Sequence, residues 1–311
     1  MKYLVGARGS QLSVAQTNWV ISELKKRSPQ TEFEIIPIKT KGDTDARPLF
    51  TINQKGIFEK EIDRAVAEKK VDFAVHSLKD VPAELPDELT LACIPKREPA
   101  NDIFISKDAQ TLNTIKKGAV IGTSSLRRAV QVSRHRPDLV VKPIRGNIET
   151  RIKKIDEGKF DGIVLAQAGI QRLGLDVKFE KLPVELFMPS PGQGALAIVT
   201  RKDNHKVIEL LKKIEDASSR NAIEAERSLS LFVDSGCRFP VGALADQRGD
   251  KLTLSVTVYS VDGSKFIAVK QDSDPSQAKE LGRQMASELS AKGIEELAKN
   301  WREKVEEWNA K

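Results

Sequence analysis

Two cysteines in 311 residues, Cys93 and Cys237, are too few for a disulfide framework and suit a reducing compartment. The three histidines, His76, His135 and His205, have no metal-ligand spacing, so no metal is expected. Aromatic residues make up only 5%, and neither zinc-finger spacing nor an RNA-recognition aromatic motif occurs, which argues against a nucleic-acid partner. No apolar run approaches a membrane span, and the apolar run of residues 1–8 breaks too early for a signal peptide. A Walker loop and a Gly-x-Ser-x-Gly elbow are both missing. Gly192-Gln193-Gly194 precedes a strand-like run, the wrong order for a dinucleotide fingerprint. The expected protein is a cytoplasmic monomer with no membrane, metal or nucleic-acid partner.

What remains is a folded, charged chain: 40% hydrophobic and 31% charged residues, with a net charge of +7. A positive excess can serve nucleic acid, membrane or a small polyanion. Here the arginines sit singly or in pairs beside Gly, Ser and Thr, a distribution that suits discrete carboxylates or phosphates.

The first 215 residues alternate strand-like and helix-like segments and predict an α/β fold. Strands are expected at Tyr3–Val5, Glu32–Lys39, Phe73–Val75 and Leu89–Ile94, with helices at Gln11–Lys26 and Phe58–Lys69. A second set has strands at Ile103–Ser106, Ala119–Ile121, Leu139–Pro143 and Gly162–Leu165, with helices at Ser125–Arg134 and Ile148–Asp156. The sets resemble each other: Val5-Gly6-Ala7-Arg8-Gly9-Ser10 and Ile121-Gly122-Thr123-Ser124-Ser125 both run from strand through glycine into a polar helix start. Two similar periplasmic-binding-protein-like α/β domains around a cleft are expected, plus a small α+β C-terminal domain. Their boundaries would be 1–95 with 190–215, 96–189, and 216–311. In the last, a helix at Arg220–Val233 precedes alternating Leu252, Leu254, Val256 and Val258, then a hairpin signal at Asp262-Gly263 and helices near Pro275–Ala291 and Ile294–Trp308.

Val71-Asp72-Phe73-Ala74-Val75-His76-Ser77-Leu78-Lys79-Asp80 places charge just past a strand's carboxyl end, where open α/β sheets bind ligands. Taken singly, Asp80 also reads as a turn former or cap. Arg8 and Ser10, the run Gly122 to Arg128, and Arg145-Gly146-Asn147 with Thr150 and Arg151 all sit at helix starts, which attract anions. Arg127, Arg128 and Arg151 oppose the helix dipole there, and a bound anion would offset that. Any one of them also reads as an ordinary surface arginine. Cys93 lies in an apolar strand and reads as an inert thiol. Cys237 lies in a glycine-bounded loop after a helix ends, a poor setting for a turnover nucleophile and a better one for permanent attachment.

These segments together resemble the porphobilinogen deaminase (hydroxymethylbilane synthase) family. The motifs are Ala74 to Asp80, Gly122 to Arg128, Arg145-Gly146-Asn147, Gly192-Gln193-Gly194-Ala195 and Gly236-Cys237. The resemblance implies a transferase of porphyrin and heme biosynthesis that condenses four porphobilinogen molecules, with loss of ammonia, and releases the linear tetrapyrrole hydroxymethylbilane. It implies a dipyrromethane cofactor joined by a thioether to Cys237 and held by Thr123, Ser125, Arg127, Arg128, Arg145, Gly146, Lys79 and Asp80. Asp80, helped by Lys79, would be catalytic, and His76 would orient the Asp80 loop. Substrate carboxylates would meet Arg8, Ser10, Gln16, Lys55, Phe58, Ser77, Arg145, Arg151, Arg172 and Gln193. Thr51, Asn53 and Gln54 depart from the family's lysine- and glycine-rich loop, which predicts a stiffer lid. The rival readings are a cytoplasmic anion- or solute-binding protein of the same cleft architecture and a basic nucleic-acid binder. The first explains the fold and the arginines but not Cys237 or Asp80, and the scattered placement of the arginines argues against the second.

Overall fold

The computed structural model describes residues 2–40, 59–233, 240–299 and 303. Cys237, Lys55, Phe58 and the loop positions Thr51, Asn53 and Gln54 lie outside them.

In chain order the elements begin with β1 (Lys2–Arg8), α1 (Gln11–Arg27), β2 (Glu32–Ile38), α2 (Lys60–Ala67) and β3 (Phe73–Ser77). A 3₁₀ turn (Leu78–Asp80) leads to β4 (Leu89–Cys93). Then come β5 (Asp102–Ser106), β6 (Val120–Gly122), α3 (Leu126–His135), β7 (Val140–Lys142), α4 (Ile148–Asp156), β8 (Gly162–Ala166), α5 (Gln167–Leu173) and β9 (Glu180–Lys181). The chain continues through β10 (Leu196–Arg201), α6 (His205–Lys212) and α7 (Ala217–Val233). It closes with β11 (Val241–Arg248), β12 (Lys251–Tyr259), β13 (Phe266–Ser273), α8 (Ala278–Ala291) and α9 (Ile294–Ala298).

Two five-stranded sheets share one plan. The first runs β2-β1-β3-β10-β4 and the second β7-β6-β8-β5-β9. In each, three parallel strands are followed by one that enters antiparallel, β10 against β3 and β5 against β8. Both sheets are covered on two faces, as strands of this type require. Tyr3 and Val5 pack with Val20, Leu24 and Leu211, while Leu4 points the other way toward Ile62 and Val66, the period of two expected of a strand. The second sheet repeats this, with Phe104, Ile121 and Val132 on one face and Ile105, Ile155 and Ile170 on the other. The third sheet, β11-β12-β13, is antiparallel and packs on α7 and α8 through Leu254, Val256, Leu229 and Met285.

The element positions agree with the expected ones to within a few residues. The short α5 and α6, and the flanking strands β9 and β11, had no expected counterpart, while β13 is the return strand of the hairpin expected at Asp262-Gly263. The closing helix expected to Trp308 is described only as Ile294–Ala298.

The chain passes between the first two sheets twice, near residues 95–100 and 187–195. Gly194 has φ +86, and a Cβ there would run into the Glu98 carbonyl on the other crossing. Both the left-handed backbone and the close approach require glycine. Gly194→Ala is therefore expected to lower unfolding stability by about 2 kcal/mol or more, read as a fall in denaturant midpoint at unchanged slope.

Candidate active site

β3 is central in the first sheet and buried from Phe73 to His76, so it delivers Ser77, Lys79 and Asp80 from a rigid base. Leu78, 2% exposed, fixes the turn by donating its N–H to the Ala195 carbonyl at 3.0 Å. Beyond the turn, Arg227 of α7 donates to the Pro82 and Ala83 carbonyls at 2.9 and 2.7 Å. Gln16 of α1 donates to the Ser77 hydroxyl at 2.9 Å, joining two residues expected at the site. Ser10 caps α1 by accepting from the Ser13 N–H at 3.3 Å, next to Arg8 at the end of β1.

The second sheet presents its own carboxyl ends to the same place. Thr123, fully buried, accepts from the Ser125 N–H at 3.2 Å and so shapes the turn into α3. Arg127 and Arg128 follow and converge on Asp102, a carboxylate with 0% exposure at the start of β5. Arg127 donates Nη1 to Asp102 Oδ2 at 2.9 Å and to the Met188 carbonyl at 2.6 Å. Arg128 donates Nε to Asp102 Oδ1 at 3.0 Å. Burial alone would raise the Asp102 pKa, but the two guanidinium groups outweigh it and hold the carboxyl at about 2. The anion offsetting these two arginines at a helix start is thus in part internal.

Gln193 also belongs to this network. Its amide donates to the Ala100 carbonyl at 2.6 Å and to Asp102 at 2.7 Å, while its oxygen accepts from Arg128 at 3.2 Å. At 1% exposure it braces the crossing, a different place from the substrate-facing one expected. Arg172 likewise reaches the crossing, donating to the Gly194 carbonyl at 2.6 Å. His76 does not touch Asp80: its Nε2 lies 3.1 Å from Asp63 Oδ1 on α2, so it ties helix to strand.

Arg145 and Arg151 supply further cations. Asn147 caps α4 through the Thr150 N–H at 2.8 Å, and Arg151 Nε donates to the Gly146 carbonyl at 2.7 Å. Burial, then the neighbouring charges of Arg128 and Arg145, push the Arg151 pKa down to about 10. Lys79 is also shifted down, first by burial and then by Arg128 and Arg127, against the opposing pull of Asp80 and Asp102. Lys79 belongs to the first sheet and these arginines to the second, so the two carboxyl ends share one electrostatic environment. Cations held against their own repulsion need an anionic ligand, and a group with several carboxylates fits them.

Cys93 is fully buried, and burial followed by Glu215 pushes its thiol pKa up, so it stays an inert thiol. Among the described residues no cluster of three or more His, Cys, Asp or Glu could hold a metal. None of the described helices is long and apolar enough to cross a membrane.

Residues 3–209 match the family model "Porphobilinogen deaminase, dipyromethane cofactor binding domain", and residues 221–291 match "Porphobilinogen deaminase, C-terminal domain". The chain belongs to the porphobilinogen deaminase family. It is 69% identical over 309 residues to a probable porphobilinogen deaminase of Nitrosopumilus maritimus, covering 99% of both chains. The porphobilinogen deaminase of Brevibacillus brevis is 44% identical over 295 residues, covering 94% of this chain and 95% of that protein. A probable porphobilinogen deaminase of Hyperthermus butylicus is 38% identical over 292 residues, covering 93% and 96%. A periplasmic substrate-binding protein of a Coxiella burnetii ABC transporter aligns over 69% of this chain and 92% of its own, at TM-score 0.42 and 13% identity.

Three residues central to this arrangement were not singled out from sequence. Asp102 had a readable signal: a carboxylate opening a strand that continues Ile103-Phe104-Ile105 must find cations. Glu226, 0% exposed on α7, and Glu59, 4% exposed ahead of α2, look in sequence like surface helix residues and carried no signal.

Asp102→Asn is expected to lower stability at neutral pH by about 3–5 kcal/mol, because it strips two buried arginines of their charge partner. A depressed carboxyl stabilises the fold above its unfolded pKa of 3.8 and loses that contribution as pH falls through about 2. The gap between variant and wild type in denaturant unfolding should therefore narrow as pH drops from 4 toward 2.

Proposed function

We propose that this chain is a hydroxymethylbilane synthase: it condenses four porphobilinogen molecules, each losing ammonia, on a covalent dipyrromethane and releases the linear tetrapyrrole by hydrolysis, water supplying its hydroxyl. The observation that carries this reading is that one crossing meets both the Lys79–Asp80 turn and the arginine pair: a Cβ on Gly192 would lie 3.1 Å from the Lys79 N, and Gln193 accepts from Arg128 at 3.2 Å. A solute-binding protein needs the arginines but gives no role to a carboxylate fixed beside them.

Dipyrromethane bears an acetate and a propionate on each ring and, when bound, supplies the free ring position that the first porphobilinogen joins. Arg127, Arg128, Arg145 and Arg151 would pair with its carboxylates, supported by Lys79, Ser125 and the Thr123 and Gly146 turns. Cys237 would carry the thioether. Support comes from the strand that follows: β11 begins four residues later, and its Ala243 N–H donates to the Pro189 carbonyl at 2.8 Å. Pro189 adjoins Met188, whose carbonyl accepts from Arg127 at 2.6 Å. The start of β11 is thereby held next to the residues that bond Arg127, which supports a role for Cys237 near the arginine pair.

Arg8, Ser10, Gln16, Ser77 and Arg172, with Lys55 and Phe58, would receive the incoming monomer. Breaking its C–N bond would send the electron pair to nitrogen and leave an electron-poor methylene, open to attack by a free ring position. Positive charge then develops on pyrrole nitrogens. Asp80 stabilises that charge where it forms and takes the proton that the attacked ring gives up. Lys79, its ammonium weakened by burial and neighbouring arginines, holds a carboxylate while sparing Asp80 a permanent ion pair. The reading includes a cytoplasmic monomer that uses no metal, nucleic acid or membrane, divided at 1–95 with 190–215, 96–189 and 216–311.

Intact mass and peptide mapping test it. The expected result is an addition equal to two deaminated porphobilinogen units on the Cys237 peptide, absent from Cys237→Ser. Asp80→Asn should keep the addition and lose turnover by about a hundredfold or more. An unmodified Cys237 that also fails to acquire the group from porphobilinogen would overturn the reading.

A further inference from the structure

Arg227 lies on α7, and among the described residues it pairs with no carboxylate. Both of its hydrogen bonds leave Nη2, one to the Pro82 carbonyl at 2.9 Å and one to the Ala83 carbonyl at 2.7 Å. The charge is held there at a cost: burial, then Arg220 two helical turns earlier, push its pKa down to about 10. What the two bonds hold is the exit of the 3₁₀ turn Leu78–Asp80. That turn closes with the Val81 N–H on the Leu78 carbonyl at 3.0 Å, so residues 81–83 lead directly out of Asp80. One helical turn before Arg227, Ile223 is 0% exposed and shares a buried cluster with Leu78 and Val81, the residues flanking Lys79 and Asp80. Glu226, next to Arg227, accepts from the Gly192 N–H at 2.6 Å. A Cβ on Gly192 would run into Leu78 Cδ2 and lie 3.1 Å from the Lys79 N. Helix α7 therefore grips the turn directly and also holds the crossing that presses on it.

We propose that Arg227 is a positioning residue for Asp80: its clasp on the Pro82 and Ala83 carbonyls fixes the turn that carries the base. The proposal rests on Asp80 being the base of the reaction above. The two ends of the turn are held by different parts of the chain, the Leu78 N–H by the Ala195 carbonyl and residues 82–83 by Arg227. With both ends tied, Lys79 and Asp80 keep one backbone position and only their side chains adjust. A condensation repeated four times makes that demand on its base. Each new bond forms on a longer chain, so the chain has to be brought to a carboxylate that does not move. A guanidinium suits the task, because its planar nitrogen carries two N–H groups at a fixed angle, whereas a lysine ammonium turns freely on a flexible stem. Loosening the clasp misplaces Asp80 and costs rate rather than affinity, since the substrate carboxylates are met by other side chains.

Amide hydrogen exchange gives a readout apart from activity. In an Arg227→Met holoenzyme the Val81 N–H should exchange roughly tenfold faster or more, with the amides of β12 unchanged. The same variant should keep its cofactor by intact mass and lose kcat by roughly tenfold with KM unchanged. Arg227→Lys, which keeps the charge and can still reach one carbonyl, should recover part of both. On an Asp80→Asn background Arg227→Met should cost no further rate, because no base remains to be positioned, whereas a merely structural role would lower both backgrounds alike. An unchanged Val81 exchange rate overturns the proposal. So does a wild-type kcat in the Arg227→Met holoenzyme, or a full tenfold loss on the Asp80→Asn background. Should the Met variant fold poorly, the Lys variant carries the same three measurements. An Asp80→Asn enzyme with normal turnover sinks the reading of Asp80 first and the positioning role with it. An inactive Asp80→Asn beside an unaffected Arg227→Met sinks the positioning role alone.

Discussion

A single carboxylate without solvent contact, Asp102, sets the geometry on which the site depends. It accepts from Arg127, Arg128 and Gln193, one pair from a helix start and one residue from the chain crossing. Two guanidinium groups at the first turn of α3 would repel each other and the helix dipole. Asp102 offsets that and turns the repulsion into orientation, because each oxygen takes a different arginine. A lysine in either place could not supply the same fork of donors. Apolar replacement of the whole set would fold as well or better, so the network earns its place through the direction in which it points the remaining guanidinium atoms.

A second buried carboxylate does the same for the crossing itself. Glu226 accepts from Arg97 Nη1 at 2.6 Å, from the Gly192 N–H at 2.6 Å and from the Ala245 N–H at 2.8 Å. These donors come from the outgoing crossing, the returning crossing and β11. Together Asp102 and Glu226 fasten both passages between the sheets to the third sheet that leads away from Cys237. Change in the relative position of the two sheets must therefore be taken up around these two anchors, with the charged side chains riding on either side.

The strands and their order of alternation were legible in the sequence because both α/β sheets bury two faces and leave strong apolar runs, such as Phe73-Ala74-Val75 and Ile103-Phe104-Ile105. The Asp80 turn and the arginine starts were legible because charge after a strand is conspicuous. Partner choice was not. Nothing local says that Arg128 answers to Asp102, or that His76 answers to Asp63, since these pairings span 26 and 13 residues and exist only once the sheets are stacked. Gln193 shows the same limit: its motif was visible, but its burial depends on two crossings lying side by side. Glu59 was hidden for another reason. In Glu59-Lys60-Glu61 it looks solvated, and only the packing of α2 against β3 turns one of three charged residues inward.

The cleft that results is electrically divided. Arg127, Arg128, Arg145 and Arg151, with Asp102 among them, occupy the side of the second sheet, and Asp80, Glu59 and Asp63, with Arg8, occupy the side of the first. The proposed monomer is divided too, with carboxylates on its ring and an ammonium on its methylene. In the proposed reading such a molecule would enter with its carboxylates toward Arg8 and Arg172, which would leave the ammonium and the ring nitrogens toward Asp80. Orientation follows from charge before any close contact forms. The same division bounds the reaction. Every added ring brings two more carboxylates to an unchanged set of cations, so each successive ring gains less attraction than the one before and adds repulsion among the rings already bound. A site built to start a polyanion would thus become progressively less able to hold a longer one, while freeing the finished chain still requires water to cleave the bond that joins it to the dipyrromethane.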